Sequence, residues 1–533
     1  MNNTAVIAKI RNVKSIPGCD NINVCQVFES NIVISKDIQE NTLGIYFDDN
    51  LNLSKEFLSE NNLYRDSTLN KDTTKTGFFD DNGRVRCLKL RGVKSDAFWI
   101  PLESLEFTKY DISKLKEGFE FNELNDIKIC EKYISKKTRQ QGSGKGKNKN
   151  KDDYDRISKL VFPEHFDTGQ LDRSVDNIPD NTTIVLTFKL HGTSVRFSNT
   201  KVDTKNTKIK YYIQKILNIF GLKLDFSEYK DIVGSRRVIK TDLVVKRDVS
   251  LEDFWRHKRI DLKKTWFKEF YTAYFNTEIA DELYREVFIL DNDSGTIYDE
   301  FSFFENKLNI PIDTFKNWIS ENYYKSNTGF YKTDIWTTAT ECLKGKLHKN
   351  EMIYAEIVGY SDKNTPLMGS YNTKKLDTVD KNFRKQYGDN MVFSYGCRPG
   401  EYKLFVYRIS LLNLDGYEYD YSWEDVKKRC NELGVNYVPE IKVMNSHEFY
   451  SDKRQFLDYV KTLLDKPSVL DSSHLEEGVA VRVESGLNLV IYKMKGFLYK
   501  FLEGLIKDNE NFVDLEESQS VENTEVTDVK VDN

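Results

Sequence analysis

Short apolar runs separated by turn signals dominate the first 125 residues. Runs rich in apolar and β-branched residues occupy 4–10, 22–28, 32–34, 43–47, 85–90 and 98–101. Pro17-Gly18 and Asp81-Asn82-Gly83 lie between such runs, and these residue types favour turns. Many short strands without long helices predict a small β-barrel or sandwich, which we assign to residues 1–130.

The apolar pattern changes in the longer region 157–508. Strand-like runs occupy 183–188, 195–197, 352–355 and 479–481. Between about 248 and 345, large apolar residues recur at helical spacing, which predicts a helical insertion. Its marker positions are Trp255, Leu262, Trp266, Phe270, Tyr274 and Leu283. We expect the aromatic residues among them to form a core rather than a platform for base stacking.

Two polar segments have nothing to bury. Residues 131–156 contain a Gly-rich basic stretch, which predicts a flexible linker; a nonspecific contact to phosphate is the alternative interpretation. Residues 509–533 are acidic and polar, which predicts a disordered tail.

Charge and cysteine usage narrow the class of protein. The 533 residues carry 79 basic and 84 acidic side chains, so a nucleic-acid partner would need a local basic face. Seven scattered cysteines without a C-x-x-C pair argue against a disulfide framework and against a zinc site. No apolar run approaches the ~20 residues of a membrane helix, and the first residues lack a signal-peptide pattern. We therefore expect a cytoplasmic protein that does not enter a membrane.

The run from Lys189 to Ser194, K-L-H-G-T-S, is the first candidate for chemistry. Lys189 leaves a predicted buried strand, where desolvation disfavours the charged form of an amine. Gly192 permits a tight turn against a ligand. A solvated strand-end lysine is the plain alternative, but further motifs follow in order. They are Ser235-Arg236-Arg237, Ile353-Tyr354-Ala355-Glu356, Phe405-Val406-Tyr407-Arg408, Leu475-Glu476-Glu477-Gly478-Val479 and Tyr492-Lys493-Met494-Lys495-Gly496.

This ordered series resembles the motifs of the covalent nucleotidyltransferases, which are RNA ligases, DNA ligases and mRNA capping enzymes. The K-L-H-G-T-S form is most similar to nick-sealing RNA ligases. Segments 15–20 and 83–95 resemble the N-terminal OB-type domain of the Deinococcus-type RNA ligases. Only about forty residues follow the last motif, fewer than the roughly one hundred of a barrel, which argues against DNA ligases and capping enzymes. Lys-, Asn- and Tyr-rich usage is typical of an AT-rich genome such as that of a large phage.

The resemblance implies an α+β fold. An N-terminal OB-like barrel would precede a nucleotidyltransferase domain of antiparallel sheets with flanking helices and the helical insertion. It also implies an ATP-dependent RNA ligase that joins 3′-hydroxyl and 5′-phosphate ends, at nicks in duplex RNA or an RNA–DNA hybrid. The protein would act as a monomer. A capping-type guanylyltransferase, a DNA ligase and a catalytically dead nucleic-acid binder are the alternatives.

The catalytic roles follow from the same resemblance. Lys189 would attack ATP and carry AMP, while Lys493 and Lys495, which alternate on a predicted strand, would face its phosphates. A solvent-facing basic strand is the plain alternative for this pair. Glu356 would hold the ribose hydroxyls and Glu477 would help to organise Mg²⁺ or Mn²⁺, so both acids are candidate metal ligands.

The remaining candidates would bind the nucleotide. Arg236 or Arg237 would contact ribose or the 3′ end, and Tyr407 would lie against adenine, although a core tyrosine is equally compatible with its position. His191 would position the site. Phe188 stands where many relatives have Glu, which leaves only its backbone carbonyl for adenine. Ser194 replaces a frequent Asn, which puts the contact to the strand end in doubt.

Overall fold

The computed structural model describes residues 4–134, 161–203, 227–236, 239, 270–277, 280, 308–311, 314, 318, 334–413, 415–486 and 488–507. The chain divides into two compact units, Met1–Val238 with Ala339–Asn533, and Ile239–Thr338. Most of the predicted insertion, including Trp255, Leu262, Trp266 and Leu283, lies outside the described residues. Most of the linker and the whole tail lie outside them too, so these boundaries stay predictions.

The N-terminal region consists of short strands, as its sequence pattern predicts. They are β1 (Ala5–Lys9), β2 (Arg11–Ser15), β3 (Ile22–Val27), β4 (Ser30–Ser35), β5 (Leu43–Asp48), β6 (Leu51–Leu53), β7 (Leu88–Leu90), β8 (Val93–Ser95), β9 (Ala97–Pro101), β10 (Glu120–Phe121), β11 (Glu123–Leu124), β12 (Ile127–Lys128) and β13 (Cys130–Lys132). The run at 85–90 is extended only over its second half, since Val85 donates from its backbone to the carbonyl of Leu51 outside a regular strand.

These strands form several small antiparallel sheets. A four-stranded sheet has the order β10-β1-β5-β9, a three-stranded sheet has the order β2-β3-β4, and β7 pairs with β8. Within the described residues the pairings do not close into a barrel, so the OB-like barrel stays a prediction.

Both faces of the four-stranded sheet are buried. Alternate residues of a strand point to opposite faces, so Ile45 and Phe47 enter one core while Tyr46 enters the other.

The second half of the chain carries two larger sheets. Their strands are β14 (Gly169–Gln170), β15 (Thr183–Lys189), β16 (Thr193–Asp203), β17 (Ser227–Ser235), β18 (Glu351–Asp362), β19 (Thr365–Pro366), β20 (Ser370–Asn372), β21 (Asn390–Val392), β22 (Tyr402–Leu412), β23 (Glu418–Asp420), β24 (Asn436–Tyr437), β25 (Glu440–Asn445), β26 (Gly478–Ser485) and β27 (Asn488–Lys495). One sheet has the order β14-β27-β26-β15-β25. The other follows β17-β16-β18-β22-β23, with β19 and β24 added at its side. Most pairs are antiparallel, which confirms the predicted α+β class with antiparallel sheets.

Helices occur in both halves of the chain. They are α1 (Lys55–Glu60), α2 (Leu171–Ser174), α3 (Ile335–Thr340), α4 (Phe383–Tyr387), α5 (Trp423–Leu433), α6 (Lys453–Lys461) and α7 (Phe497–Lys507). Short 3-10 helices lie at Ser67–Leu69, Leu102–Thr108, Ile112–Lys114, Val175–Asn177, Glu341–Leu343, Lys374–Thr378 and Ser446–Glu448.

Helix α6 shows how the five-stranded sheet acquires its core. The Asp452 side chain caps the helix by accepting from the backbone of Gln455, and Phe456 and Val460 then pack on the sheet near Val481. The apolar face of α6 therefore covers the sheet that holds the candidate lysines. None of the helices within the described residues is both long and apolar enough to span a bilayer.

Candidate active site

Three motif residues lie in one row across the five-stranded sheet. Lys189 ends β15 and pairs with Gly478, and Gly478 pairs in turn with Lys495, the last residue of β27. Residues directly opposite on neighbouring strands project to the same face, so both lysines share one face. The residue between them is a glycine, and a Cβ there would lie 2.3 Å from the carbonyl oxygen of Met494. The row therefore brings two ammonium groups together without a side chain between them.

Glu477 links the two ammonium groups. Its Oε1 lies 2.9 Å from the Nζ of Lys189 and 3.2 Å from the Nζ of Lys495. The Glu477 side chain is only 2% exposed, whereas that of Lys189 is 32% exposed. Burial alone raises the pKa of the Glu477 carboxyl, but the charges of Lys189 and Lys495 outweigh burial and the net direction is downward. Glu477 is therefore an anion that holds Lys189 at an accessible position.

Glu503 of α7 holds the second lysine from the other side. Its Oε2 lies 3.1 Å from the Nζ of Lys495, and this ammonium also lies 4.9 Å from the ring centre of Tyr499. Burial lowers the pKa of Lys495, but Glu503 and Glu477 reverse this effect and the net direction is upward. Lys495 is thus a permanent cation of the site.

Lys493 differs from Lys495 although it lies on the same face, two residues earlier. It pairs with Ala480, which pairs with Thr187, two rows away from Lys189. Burial, followed by the charges of Lys495, Lys189 and Arg236, lowers the pKa of Lys493 to about 8. Lys493 therefore adds a third ammonium group close to Lys189 and Lys495, and a bound polyphosphate would offset the repulsion among them.

Arg236 interacts electrostatically with Lys493 and also with His165, which forms a second cluster with Arg408. The Arg236 guanidinium donates to Asp167 over 2.7 Å, and its charge lowers the pKa of Lys493. Burial, then Arg408 and Arg236, also lower the pKa of His165. Arg237, the alternative candidate, lies outside the described residues, so the choice between the two arginines stays open.

Glu356, a residue of β18, contacts the turn that follows Lys189. The backbone N–H of Gly192 donates to its Oε1 over 2.9 Å, and the Ser194 hydroxyl donates to its Oε2 over 3.3 Å. A Cβ on residue 192 would lie 2.2 Å from the carbonyl oxygen of Ile357, so this contact requires glycine. Glu356 therefore belongs to the same site as Lys189, whereas its contact with ribose stays a prediction.

His191 is fixed by three tyrosines that the sequence pattern did not reveal. Its ring nitrogens lie 2.9 Å from the hydroxyls of Tyr371 and Tyr499, and its backbone N–H donates to the Tyr395 hydroxyl over 2.6 Å. Burial lowers the pKa of His191 to about 4, so the ring is neutral at pH 7. A neutral imidazole has one N–H, so one tyrosine accepts a hydrogen bond and the other donates one. His191 is thereby oriented, with Nδ1 at 3.9 Å from Glu477.

The two adenine candidates are less well connected to this centre. The Phe188 backbone N–H donates to the carbonyl of Pro439, and its side chain is only partly buried. Tyr407 makes an edge-on contact with His165, with 5.1 Å between ring centres. Tyr407 therefore lies beside the cluster influenced by Arg236, and its contact with adenine stays a prediction.

The residues fit a divalent ion bound mainly through phosphate and water. Within the described part of the chain, no group of three Asp, Glu, His or Cys side chains could hold a metal. Glu477 and Glu356 each offer a carboxylate, and Mg²⁺ is commonly held by one or two carboxylates together with substrate phosphates. An all-protein metal cage is not what these side chains provide.

No protein-family model and no curated protein matches the chain. Among solved structures, the chain is similar to an RNA ligase of Naegleria gruberi with PPi, with a TM-score of 0.45 and 12% identity over 94% of this chain and 98% of that chain. A mutant of that ligase with ATP and Mn has a TM-score of 0.44 and 11% identity, over 93% of this chain and 98% of that chain. An apo mutant has a TM-score of 0.44 and 12% identity, over 94% of this chain and 98% of that chain.

Proposed function

We propose that this protein is an ATP-dependent RNA ligase that forms lysyl-AMP on Lys189. The observation that carries the proposal is the contact of Glu477 with both Lys189 and Lys495, which end two strands of one sheet, although Lys189 lies 288 residues from Glu477 in sequence. A partly exposed lysine held by a buried anion and backed by further cations is suited to attack a phosphate whose negative charge must be stabilised.

The first step joins the Lys189 amine to the α-phosphorus of ATP. The N–P bond forms, the bond to the leaving oxygen breaks, and pyrophosphate departs. A lysine in water is protonated at pH 7, so one proton must leave Lys189 first. The lowered pKa of Glu477 makes its carboxylate a weak base. We therefore infer that the proton leaves to solvent, to which Lys189 is 32% exposed.

Side chains around the lysine stabilise the transferring phosphate. Lys493 and Lys495 share the face of Lys189 and supply positive charge. A bound Mg²⁺ or Mn²⁺, held by Glu477 or Glu356, would supply further charge neutralisation. In the later steps AMP passes to the 5′-phosphate of an RNA strand, and a 3′-hydroxyl displaces it to form the phosphodiester bond. Nicks in duplex RNA or an RNA–DNA hybrid are the proposed substrates.

Labelling with α-³²P-ATP and Mg²⁺ tests the proposal. We expect an acid-labile radioactive band at the mass of the protein that is absent from Lys189→Ala. Lys442→Ala is the matched control, because Lys442 lies on β25 directly opposite Leu186 of β15. A protein that takes no label, or a label that persists in Lys189→Ala, would refute the proposal.

Two further arms separate the alternatives. Labelling from α-³²P-GTP instead of ATP would indicate a capping-type guanylyltransferase. Sealing of nicked duplexes with RNA or DNA on each side of the break would distinguish an RNA ligase from a DNA ligase.

A further inference from the structure

A two-stranded hairpin near the site concentrates positive charge. Strands β7 and β8 place Lys89 directly opposite Lys94, and like charges at this position destabilise a hairpin. Arg91 and Gly92 form its tip with positive φ, and Leu90 beside them is 40% exposed. The hairpin, residues 88–95, contains three basic side chains, Lys89, Arg91 and Lys94, and no acidic one. Charge repulsion of this kind is relieved when an anion binds.

Contacts on both sides fix the hairpin close to the candidate active site. The Lys94 ammonium lies 4.9 Å from the ring centre of Phe497, which is two residues beyond Lys495. The Lys89 ammonium donates to the carbonyl of Val379 over 3.2 Å. A salt bridge of 2.9 Å between Lys500 of α7 and Asp96 holds the strand that follows. The hairpin is therefore attached to the helix that carries Glu503 and Tyr499.

The segment that contacts Lys89 is itself basic. Residues 374–385 contain five exposed basic side chains, which are Lys374, Lys375, Lys381, Arg384 and Lys385. Three of them line a cleft of about 640 Å³, together with Asp377 and Asp389. The Nε of Arg384 lies 3.1 Å from Asp377 and 3.6 Å from Asp389. The segment's two acids, Asp377 and Asp380, are fewer than its five basic residues. The segment follows β20, whose Tyr371 contacts His191.

We propose that the β7–β8 hairpin and residues 374–385 form one basic surface that binds the sugar-phosphate backbone of the nucleic-acid duplex next to the break. The whole chain has a formal net charge of −5, so its attraction for phosphate must be local. Both parts of the surface contact α7, the helix that begins two residues after Lys495. The inference rests on the proposed function, because it identifies where the substrate of that function lies.

Charge-removing variants test this surface without touching the active site. The test variant combines Lys374→Gln, Lys381→Gln and Lys385→Gln. The matched control combines Lys109→Gln, Lys116→Gln and Lys428→Gln, which are also exposed. Binding of a dye-labelled, nicked 24-base-pair RNA duplex is measured by fluorescence anisotropy without ATP, between 50 and 300 mM KCl.

Counterion release gives the expected size of the effect. Each phosphate contact contributes about 0.9 to the slope of log K against log salt, which is about fivefold in affinity at 0.15 M. We expect the test variant to bind on the order of 100-fold more weakly, with a slope smaller by about 2.7. The control is expected to stay close to wild type. Arg91→Gln alone is expected to lose about fivefold, which gives a second readout should the triple variant misfold.

The outcomes separate this inference from the proposed function. Unchanged lysyl-AMP labelling with weakened duplex binding supports both. Equal binding by the test and control variants overturns the surface and leaves the ligase proposal standing. A wild-type protein that takes no label overturns the ligase proposal, while the anisotropy data still decide the surface.

Discussion

Lys493 and Lys495 lie two residues apart on one strand, yet replacing each with methionine is expected to change stability in opposite directions. Lys495 has carboxylate partners in Glu477 and Glu503, whereas Lys493 mainly experiences burial and other cations. Methionine keeps the length of the side chain and removes the charge. We expect Lys493→Met to stabilise the fold and Lys495→Met to destabilise it.

The magnitude for Lys493 follows from its pKa. A value of about 8 in the folded protein against 10.5 in the unfolded chain means that the charged form costs about 3 kcal/mol at pH 7. Above pH 8 the folded protein loses the Lys493 proton, while the unfolded chain keeps it up to about pH 10.5. The cost of the charged form is therefore relieved over this range and falls to about 1 kcal/mol at pH 10. Lys493→Met should therefore gain about 3 kcal/mol at pH 7 and about 1 kcal/mol at pH 10.

The charge of Lys495 stabilises the fold, whereas that of Lys493 destabilises it. The pKa of Lys495 is raised, so its contribution to stability is complete below 10.5 and is lost only as the pH rises through the higher folded value. Removing one partner of a buried ion pair costs about 3 kcal/mol or more, and the partial exposure of Glu503 reduces this to about 2 kcal/mol.

Urea unfolding of wild type and both variants at pH 7 and pH 10 measures these differences, with unchanged m-values as the control. A Lys493→Met protein that is less stable than wild type at pH 7 would refute the electrostatic reasoning. An equal gain at both pH values would refute it too. Both variants are expected to lose lysyl-AMP formation, which would show that Lys493 is kept for function at a cost in stability.

Three further outcomes are expected. Gly192→Ala brings a methyl group against the carbonyl oxygen of Ile357, so lysyl-AMP formation should fall by at least about 100-fold, as measured by single-turnover labelling. Tyr499→Phe removes one hydroxyl from His191, and labelling should slow by about tenfold while Tm changes by less than about 3 °C; an unchanged rate would contradict a positioning role. EDTA should abolish labelling without lowering Tm by more than about 1 °C, because the described residues hold no cluster of metal ligands that would support the fold; a large drop in Tm would show a structural metal.

The order of motifs along the chain selected candidate residues that the fold brings together. Lys189, Glu477 and Lys495 are far apart in sequence, but each stands at the end or start of an apolar strand-like run, and the structure brings them into contact. Period-two alternation placed Lys493 and Lys495 on one face of a strand, which the pairing of β27 with β26 confirms. The predicted α+β class with antiparallel sheets is confirmed as well. The barrel, the domain boundaries and the role of Tyr407 stay predictions.

Local pattern could not reveal the support around these residues. Tyr371, Tyr395 and Tyr499 come from three separate segments, and no spacing marks them as partners of His191. The same holds for the contact of Lys89 with Val379, which joins positions 290 residues apart.

The sequence by itself determined which residues are candidates for chemistry and that Lys493 and Lys495 share one face of a strand, because these depend on side-chain type and on a period of two. Only the tertiary structure decided that Lys495 has two carboxylate partners, whereas the pKa of Lys493 is lowered to about 8. Burial and electrostatic interactions depend on which groups are close in space, not on their separation along the chain. They are therefore set only once the strands have paired.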